Sequence, residues 1–311
     1  PGRQIAIATE MVQAAEQAGD LELAAEGRGW RVHTLLEIGD LTSLDAEIEA
    51  HARLARELRE PVYLWLSSMF RAMRALLVGA FADCERLAQQ AFELGQRAQN
   101  PNAMQAFAAQ MFFLRREQGR LGELRETLEA MARQYPSMPT WRAGLVDLYC
   151  EERLFHEARR EYERVVFGSL GDLPRDSTAI LRVALLARAC AALGDSARAP
   201  RLYEMLLRCA DRNVVVTGGT ASLGAVSGYL GLLARTMERW DEAARHFDEA
   251  LALDGRLGAI PSLARTQCDY AEMLLARGRG EDRARAEPLL EQALTTAARL
   301  GMCALVERVG R

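Results

Sequence analysis

A short turn recurs along this chain at intervals close to forty residues, and it restricts the fold to a repeat of paired helices. It stands as Gly39-Asp40-Leu41, Gly79-Ala80-Phe81, Gly119-Arg120-Leu121 and Gly194-Asp195-Ser196, with degenerate copies at Arg153-Leu154-Phe155, Glu238-Arg239-Trp240 and Gly278-Arg279-Gly280. The successive spacings are 40, 40, 34, 41, 44 and 40 residues. That interval fits two helices and their connections, and glycine lets the end of one helix turn left-handed before the next begins.

After each turn comes a small residue, a bulky one a turn later and a second small or medium one. The sets are Ala158, Tyr162 and Val165; Ala199, Tyr203 and Leu206; Ala243, Phe247 and Ala250; and Ala286, Leu290 and Ala293. Each falls on one helix face, where alanine allows two helices to approach closely and the bulky side chain fills the groove between them. No such unit buries both faces alone, so it must stack on its neighbours. With 311 residues and 50% hydrophobic content there is ample material for that core.

The periodicity predicts first helices near 22–37, 61–77, 102–117, 139–151, 177–192, 220–236 and 260–276, and second helices near 42–58, 82–98, 122–134, 155–166, 196–210, 241–253 and 284–299. A leading helix near 4–18 ends at Gly19-Asp20-Leu21. Breakers at Pro61, Pro101, Pro136, Pro139 and Pro174 mark the connections. The expected organisation is a single domain over 1–311: a half-repeat at 1–20, N-terminal repeats at 21–166, a connector at 167–176, and C-terminal repeats at 177–311 with an irregular loop at 211–219.

The pattern resembles the tetratricopeptide-repeat (TPR) family over nearly the whole chain. The 34-residue interval from Gly119 to Arg153 matches that family's period, and Trp141, Leu145 and Tyr149 approximate its first-helix pattern. Most intervals are nearer forty, which implies helices about a turn longer. The resemblance implies an all-α, right-handed superhelical solenoid of about seven TPR-like helix-turn-helix repeats. The runs Asn100-Pro101-Asn102-Ala103, Arg115 to Leu121, Asp211 to Gly219, Tyr229 to Ala234, Arg239 to Ala243 and Ala271 to Gly278 are similar to the C-terminal sensor region of bacterial STAND-type ATPase regulators, some of them LuxR-type or cyclase-linked. By that resemblance the catalytic and DNA-binding parts lie outside this chain, and a first residue other than methionine is what a piece of a longer protein would show.

Composition removes several chemistries. All 39 basic residues are arginine, so a phosphate-binding loop with its lysine, a Schiff-base lysine and the kinase ATP-site lysine are excluded. A formal net charge of -4 gives no pull toward nucleic acid or an anionic membrane. Six cysteines without a C-x-x-C pair read as small buried hydrophobes in a reducing cytoplasm, and no secretory leader is visible at the N-terminus. Asn213 to Ala234 is uncharged for 22 residues, but its five glycines and its register with the repeat argue against a membrane span.

Among polar constellations, His33, His51, His156 and His246 have no metal-ligand spacing and read as solvated or hydrogen-bonded surface histidines. Glu151-Glu152 and the carboxylates that follow interleave with arginines as a solvated face. Arg277 to Arg285 reads as a solvated loop and not a DNA-recognition helix. Gly218-Gly219 before the helix expected from 220 reads as a turn, with anion binding as the alternative.

What remains is the inner surface lined by first helices. The TPR resemblance, mapped through the turn register, selects Met69, Met73, Phe113, Arg116, Asp147, Arg188, Arg235 and Arg265 as partner-binding positions, with interhelical core as the other reading of the apolar members. Flexible apolar side chains and arginines suit an extended peptide or acidic segment. The expectation is a cytoplasmic, non-catalytic protein- or peptide-interaction and sensor module of a bacterial signalling ATPase or transcriptional regulator. It has no cofactor, no metal and no direct nucleic-acid or membrane contact. Its expected partners are an external segment, the parent protein's own ATPase or effector domains, or a second copy. A stand-alone scaffolding adaptor and a small-effector-binding domain are the alternatives.

Overall fold

The structure, a computed structural model, describes residues 2–136, 138–169 and 178–310, with side chains of 167–169 left aside. Of the expected connector at 167–176, residues 170–176 lie outside the described residues, Pro174 among them. Sixteen α-helices and one two-stranded sheet make up the described chain, so the fold is all-α in character.

A leading helix α1 (Gly2–Ala18) is followed by α2 (Leu21–Ile38), α3 (Leu41–Leu58), α4 (Pro61–Leu77), α5 (Phe81–Arg97) and α6 (Ala103–Gln118). A 3₁₀ turn at Leu121–Leu124 opens α7 (Arg125–Gln134), and then come α8 (Pro139–Glu151), α9 (Phe155–Ser169), α10 (Ala179–Leu193) and α11 (Ala199–Leu207). The hairpin β1 (Asn213–Val215) and β2 (Ser222–Ala225) precedes α12 (Val226–Thr236), α13 (Trp240–Leu257), α14 (Ile260–Arg277), α15 (Asp282–Leu300) and α16 (Cys303–Val309). Helix bounds follow the expected periodicity within a few residues, with two exceptions. The helix expected from 220 starts at Val226 because the chain first makes the hairpin, and the seven-residue α16 was not anticipated. Gly218-Gly219 therefore leads into a strand, which removes the helix-start basis for anion binding there.

The repeat turns are built alike, except that at Gly278 the following amide, Arg279 N, donates to Asp282 Oδ2 at 2.8 Å. The residue ending the helix is left-handed at Gly39, Gly79, Gly119 and Gly194, and equally at the degenerate copies Arg153 (φ 60°), Glu238 (φ 58°) and Gly278. A second series, at Gly19, Arg59, Gln99, Gly258 and Gly301, ends the other helix of most pairs in the same conformation. Residues 19, 39, 59, 79, 99 and 119 thus stand twenty apart, and so do 238, 258 and 278. The amide that follows closes a 6→1 bond: Asp40 N to Leu35 O at 3.1 Å, Arg120 N to Arg115 O at 2.7 Å, Leu154 N to Tyr149 O at 2.8 Å and Arg239 N to Ala234 O at 2.9 Å. These bonds satisfy carbonyls that would be orphaned at the helix end. At Gly19-Asp20 and Gly39-Asp40 the aspartate then caps the next helix, accepting from Leu23 N at 3.0 Å and from Ser43 N at 3.1 Å.

At Gly119 a Cβ would lie 2.8 Å from the backbone nitrogen of Ala304, whereas at Gly194 it would meet open space. Gly194→Ala is expected to cost about 1–2 kcal/mol through the left-handed backbone alone. Gly119→Ala adds a clash with backbone and is expected to cost about 1–3 kcal/mol more. Equal losses in urea titrations of the two variants would show that α16 does not approach this turn.

The chain divides into two compact units. The first comprises Pro1–Leu114, Val215–Leu223 and Asp254–Ile260; the second comprises Arg115–Val214, Gly224–Leu253 and Pro261–Arg311. The first boundary between the units falls at 114/115, and two short later segments join the first unit.

In the first unit each of α1 to α5 packs on the next. Its core gathers Val32, Leu35, Leu36, Leu44, Ile48, Trp65, Met69, Phe70, Met73 and Leu77, and admits Val215, Leu257 and Ala259 from the later segments. In the second unit α8 packs on α9, and α10 packs on both α8 and α12, so alternate helices lie side by side. The small-bulky-small sets all lie inside this unit, buried at every position except Leu290, which is half-buried.

Candidate functional site

In the second unit five expected partner-binding residues, four arginines and Asp147, are engaged in ion pairs within the chain. Arg116 and Glu117 sit in the last turn of α6, Asp147 and Glu151 one turn apart on α8, Arg188 on α10 and Arg265 on α14. Arg116 pairs with Glu117 at 2.9 Å, Glu117 with Arg265 at 2.8 Å and Arg265 with Glu151 at 3.6 Å. Glu151 pairs with Arg188, Arg188 with Asp147 at 2.9 Å, and Asp147 returns to Arg116 at 3.8 Å. The result is a closed ring of three arginines and three carboxylates alternating in sign. Arg265 also donates to the Arg116 carbonyl at 3.2 Å.

A second group extends from the same helices. Arg235 on α12 pairs with Glu272 on α14 at 3.0 Å, and Arg308 on α16 pairs with Glu272 at 2.7 Å and with Asp269 at 2.5 Å. Arg265, Asp269 and Glu272 share one face of α14 because they are four and three residues apart.

The ring is largely withdrawn from water: the Arg116, Glu117 and Asp147 side chains are 4%, 7% and 1% exposed. Burial alone would raise the Glu151 carboxyl, but Arg188, Arg265 and Arg116 outweigh it and hold it at about 2. Glu117 is likewise pushed up by burial and brought below its ordinary value by Arg265 and Arg116. Burial works against the Arg188 charge, and Asp147 and Glu151 reverse that effect. Glu117, Glu151, Arg188 and Arg265 are therefore held in their charged forms, and the ring sets three arginines against three carboxylates.

This arrangement limits what the predicted positions can do. Arg116, Arg188 and Arg265 are engaged by internal carboxylates, and an acidic segment would have to displace a buried carboxylate from each. Breaking a buried pair costs about 3–5 kcal/mol, more than a rim contact returns. Asp147 is itself a ring member. Arg235, about 30% exposed, stands nearest to solvent of the set. Met69, Met73 and Phe113 are 2%, 1% and 5% exposed and belong to the packed interior of the first unit. The apolar and charged halves of the expected set thus lie in different units.

Other polar residues also depart from expectation. Glu151 belongs to the ring and not to a solvated face, because it shares the inward face of α8 with Asp147. His246 is buried; its Nε2 lies 2.8 Å from the Tyr203 hydroxyl and its Nδ1 3.0 Å from Glu249. Arg277 is half-buried, its side chain 8% exposed and bound through Nε to Asp282 at 2.9 Å, while Arg279 reaches Asp241 at 2.6 Å from an exposed position. Among the described residues no cluster of three or more potential ligands could hold a metal ion, and no helix is long and apolar enough to cross a membrane. None of the six cysteines, all among the described residues, is in a disulfide; Cys84, Cys190 and Cys268 are buried and Cys303 is exposed.

His51 in the first unit is fully buried, with Nδ1 2.8 Å from Ser67 Oγ, its ring edge-on to Phe70 and Nε2 without a hydrogen-bond partner. Burial, and then the Arg28 charge, pull its imidazole down to about 4. An unfolded histidine titrates near 6.5, so between pH 6.5 and 4 the unfolded chain binds a proton that the folded one does not. The stability tied to neutral His51 is complete above about pH 6.5 and is lost as pH falls toward 4, by roughly 3 kcal/mol in all. His51→Leu is expected to flatten this part of a plot of urea midpoint against pH; an unchanged slope would assign the effect to another group.

Sequence reasoning selected Arg116, Asp147, Arg188, Arg235 and Arg265 and missed Glu117, Glu151, Asp269, Glu272 and Arg308. Glu117 and Glu151 each lie within four residues of a selected position, and that proximity was the available signal. It also missed Gln110, whose side-chain nitrogen donates to Met69 O at 2.9 Å and to Thr220 O at 3.1 Å. No known protein-family profile matches the chain, and no curated protein is recognisably similar to it.

Proposed function

We propose that this chain is a non-catalytic interaction and sensor module, built as a right-handed superhelical array of about seven TPR-like hairpins and serving a bacterial signalling ATPase or transcriptional regulator in the cytoplasm. The observation that carries the reading is the twenty-residue recurrence of left-handed helix ends, preserved even where arginine, glutamine or glutamate occupies the position. A helix-pair repeat kept at that conformational cost points to an array whose surface is the working part. The contact of α10 with both α8 and α12 agrees with first helices forming one layer.

The charge ring modifies the picture. Arg265 and Glu117 are 148 residues apart, and in a stack of nearest-neighbour contacts they would not meet. The array proposed is therefore one in which α14 folds back on the end of α6 and pins it, which leaves uncharged positions for partner recognition.

Photo-crosslinking tests this reading, with the whole chain as bait in a cytoplasmic extract and crosslinkers placed one at a time on α2, α4, α6, α12 and the outer faces of α5 and α15. The expected result is a discrete partner crosslinked from one contiguous set of positions and competed by unlabelled chain. Crosslinks no different from those of an unrelated helical protein would sink the proposal. Charge reversal at Arg116 or Arg188 is unsuitable as a control, because it would break the ring and unfold the bait.

A further inference from the structure

Within the first unit, the face formed by α2, α4 and α6 carries a piece of the same chain. Val215 joins the core beside Val32, Met69, Phe70 and Met73. The turn at Thr217–Gly219 packs on α2: a Cβ on Gly219 would lie 3.5 Å from the Phe70 ring, 3.7 Å from His33 Cα and 3.8 Å from Val32. The Thr220 hydroxyl donates to Thr217 O at 2.8 Å and lies 3.7 Å from Met69 Sδ. Gln110 of α6 fastens the segment by its backbone, donating to Thr220 O at 3.1 Å while anchored on Met69 O.

Three properties make this look like recognition and not only packing. The hydrogen bond from Gln110 of α6 goes to a backbone carbonyl, as when a groove takes a segment by its main chain. The side chains received are small or apolar, and no charged residue occurs from Asn213 to Ala234. The segment also carries its own shape, closed by Val216 N to Ala221 O at 2.9 Å and Gly219 N to Val216 O at 3.0 Å, so it arrives as a preformed hairpin tip.

We propose that the α2–α4–α6 face is a docking site for an uncharged hairpin tip rich in glycine and small residues, and that Val215–Leu223 is its internal occupant, displaced when a partner segment of that chemistry binds. This rests on the interaction reading above and gives it a partner chemistry, uncharged where the arginines had suggested acidic.

The unaltered protein supplies the first test. Amide hydrogen exchange at Val216, Gly219 and Thr220 should proceed through local opening, roughly a hundredfold faster than at buried α4 amides such as Phe70. Exchange at the α4 rate, by global unfolding only, overturns the proposal.

The second test uses a fluorescent peptide of residues 213–225. Gly219→Val strains a backbone with φ of 74° and loosens the occupant. With helicity verified by circular dichroism, this variant should bind the peptide at least about tenfold more tightly than the unaltered chain does, and adding Gln110→Ala should abolish that gain. No binding by the folded variant overturns the proposal, as does concentration-dependent dimerisation of the variant without peptide binding, which would make a second copy the occupant. Should the variant not fold, the exchange result decides. These outcomes are separable from those of the crosslinking experiment: a partner crosslinked only from α12 or α15 would keep the interaction reading and discard this site, and a loop that opens and a variant that binds the peptide while no partner is crosslinked would discard the sensor reading and leave only an intramolecular latch.

Discussion

Asp147→Ala should lower the unfolding free energy by about 3–5 kcal/mol, read as a fall in the urea midpoint at pH 7. Asp147 is fully buried, and it accepts from Arg188 Nε at 2.9 Å while facing Arg116 across 3.8 Å. Removing it leaves three arginines against two carboxylates in a site that water cannot readily neutralise. Asp147→Asn keeps the acceptor atom and loses only the charge, so it should fall between the two; equal losses for Asn and Ala would attribute the effect to charge alone. Replacing the Asp147–Arg188 pair together with leucine and methionine should cost much less than either single change, since burying charge offsets most of what the pairing contributes. A loss below about 1 kcal/mol for Asp147→Ala would mean that the ring does not close through this residue.

The ring also has its own pH window. Glu151 titrates at about 2 in the folded chain and near 4.3 when unfolded. Its contribution is present above about pH 4.3 and lost as pH falls toward 2. The His51 effect occupies pH 6.5 to 4, so acid destabilisation should show two limbs, and His51→Leu should remove only the upper one.

The second large effect is expected from Phe247→Ala, at about 3–5 kcal/mol. Phe247 is completely buried on α13, with its ring stacked on Tyr270 of α14 at a centroid distance of 5.5 Å. On its other side α12 offers Gly231, where a Cβ would lie 2.9 Å from the ring. The glycine lets the knob reach into α12, so Gly231→Ala alone should cost about 1–3 kcal/mol by overpacking. In the double variant the new methyl occupies part of the cavity left by the phenyl, and the loss should be smaller than the sum of the two. Strict additivity would show that the two residues do not touch, and a loss below about 1 kcal/mol for Phe247→Ala would put the helix register in error.

Phe247 also shows what was legible. Its burial followed from Ala243 and Ala250 on the same helix face, and the same logic placed Tyr162, Tyr203 and their flanking residues inside. Helix bounds were readable because Gly-Asp pairs such as Gly39-Asp40 stop one helix and start the next with local hydrogen bonds. The second series of left-handed ends was harder to see: Arg59 and Gln99 carry no glycine to announce them, and it is the packing of the flanking helices that holds them there.

At the candidate site the inward-facing arginines were found and their state was not. Periodicity assigns a residue to a helix face, but whether Arg116 meets an internal carboxylate or a foreign one depends on where α8, α10 and α14 come to rest. The hairpin was hidden for a related reason. Val214, Val215 and Val216 favour an extended backbone, yet Ser222–Ala225 has no strand propensity and is held by its pairing with β1. The sequence by itself determined the helices, their turns and their buried faces, because those depend on interactions within a few residues. Only the tertiary structure decided which charges close on one another, and that the uncharged loop fills the face of α2, α4 and α6, because both depend on contacts between residues more than a hundred positions apart.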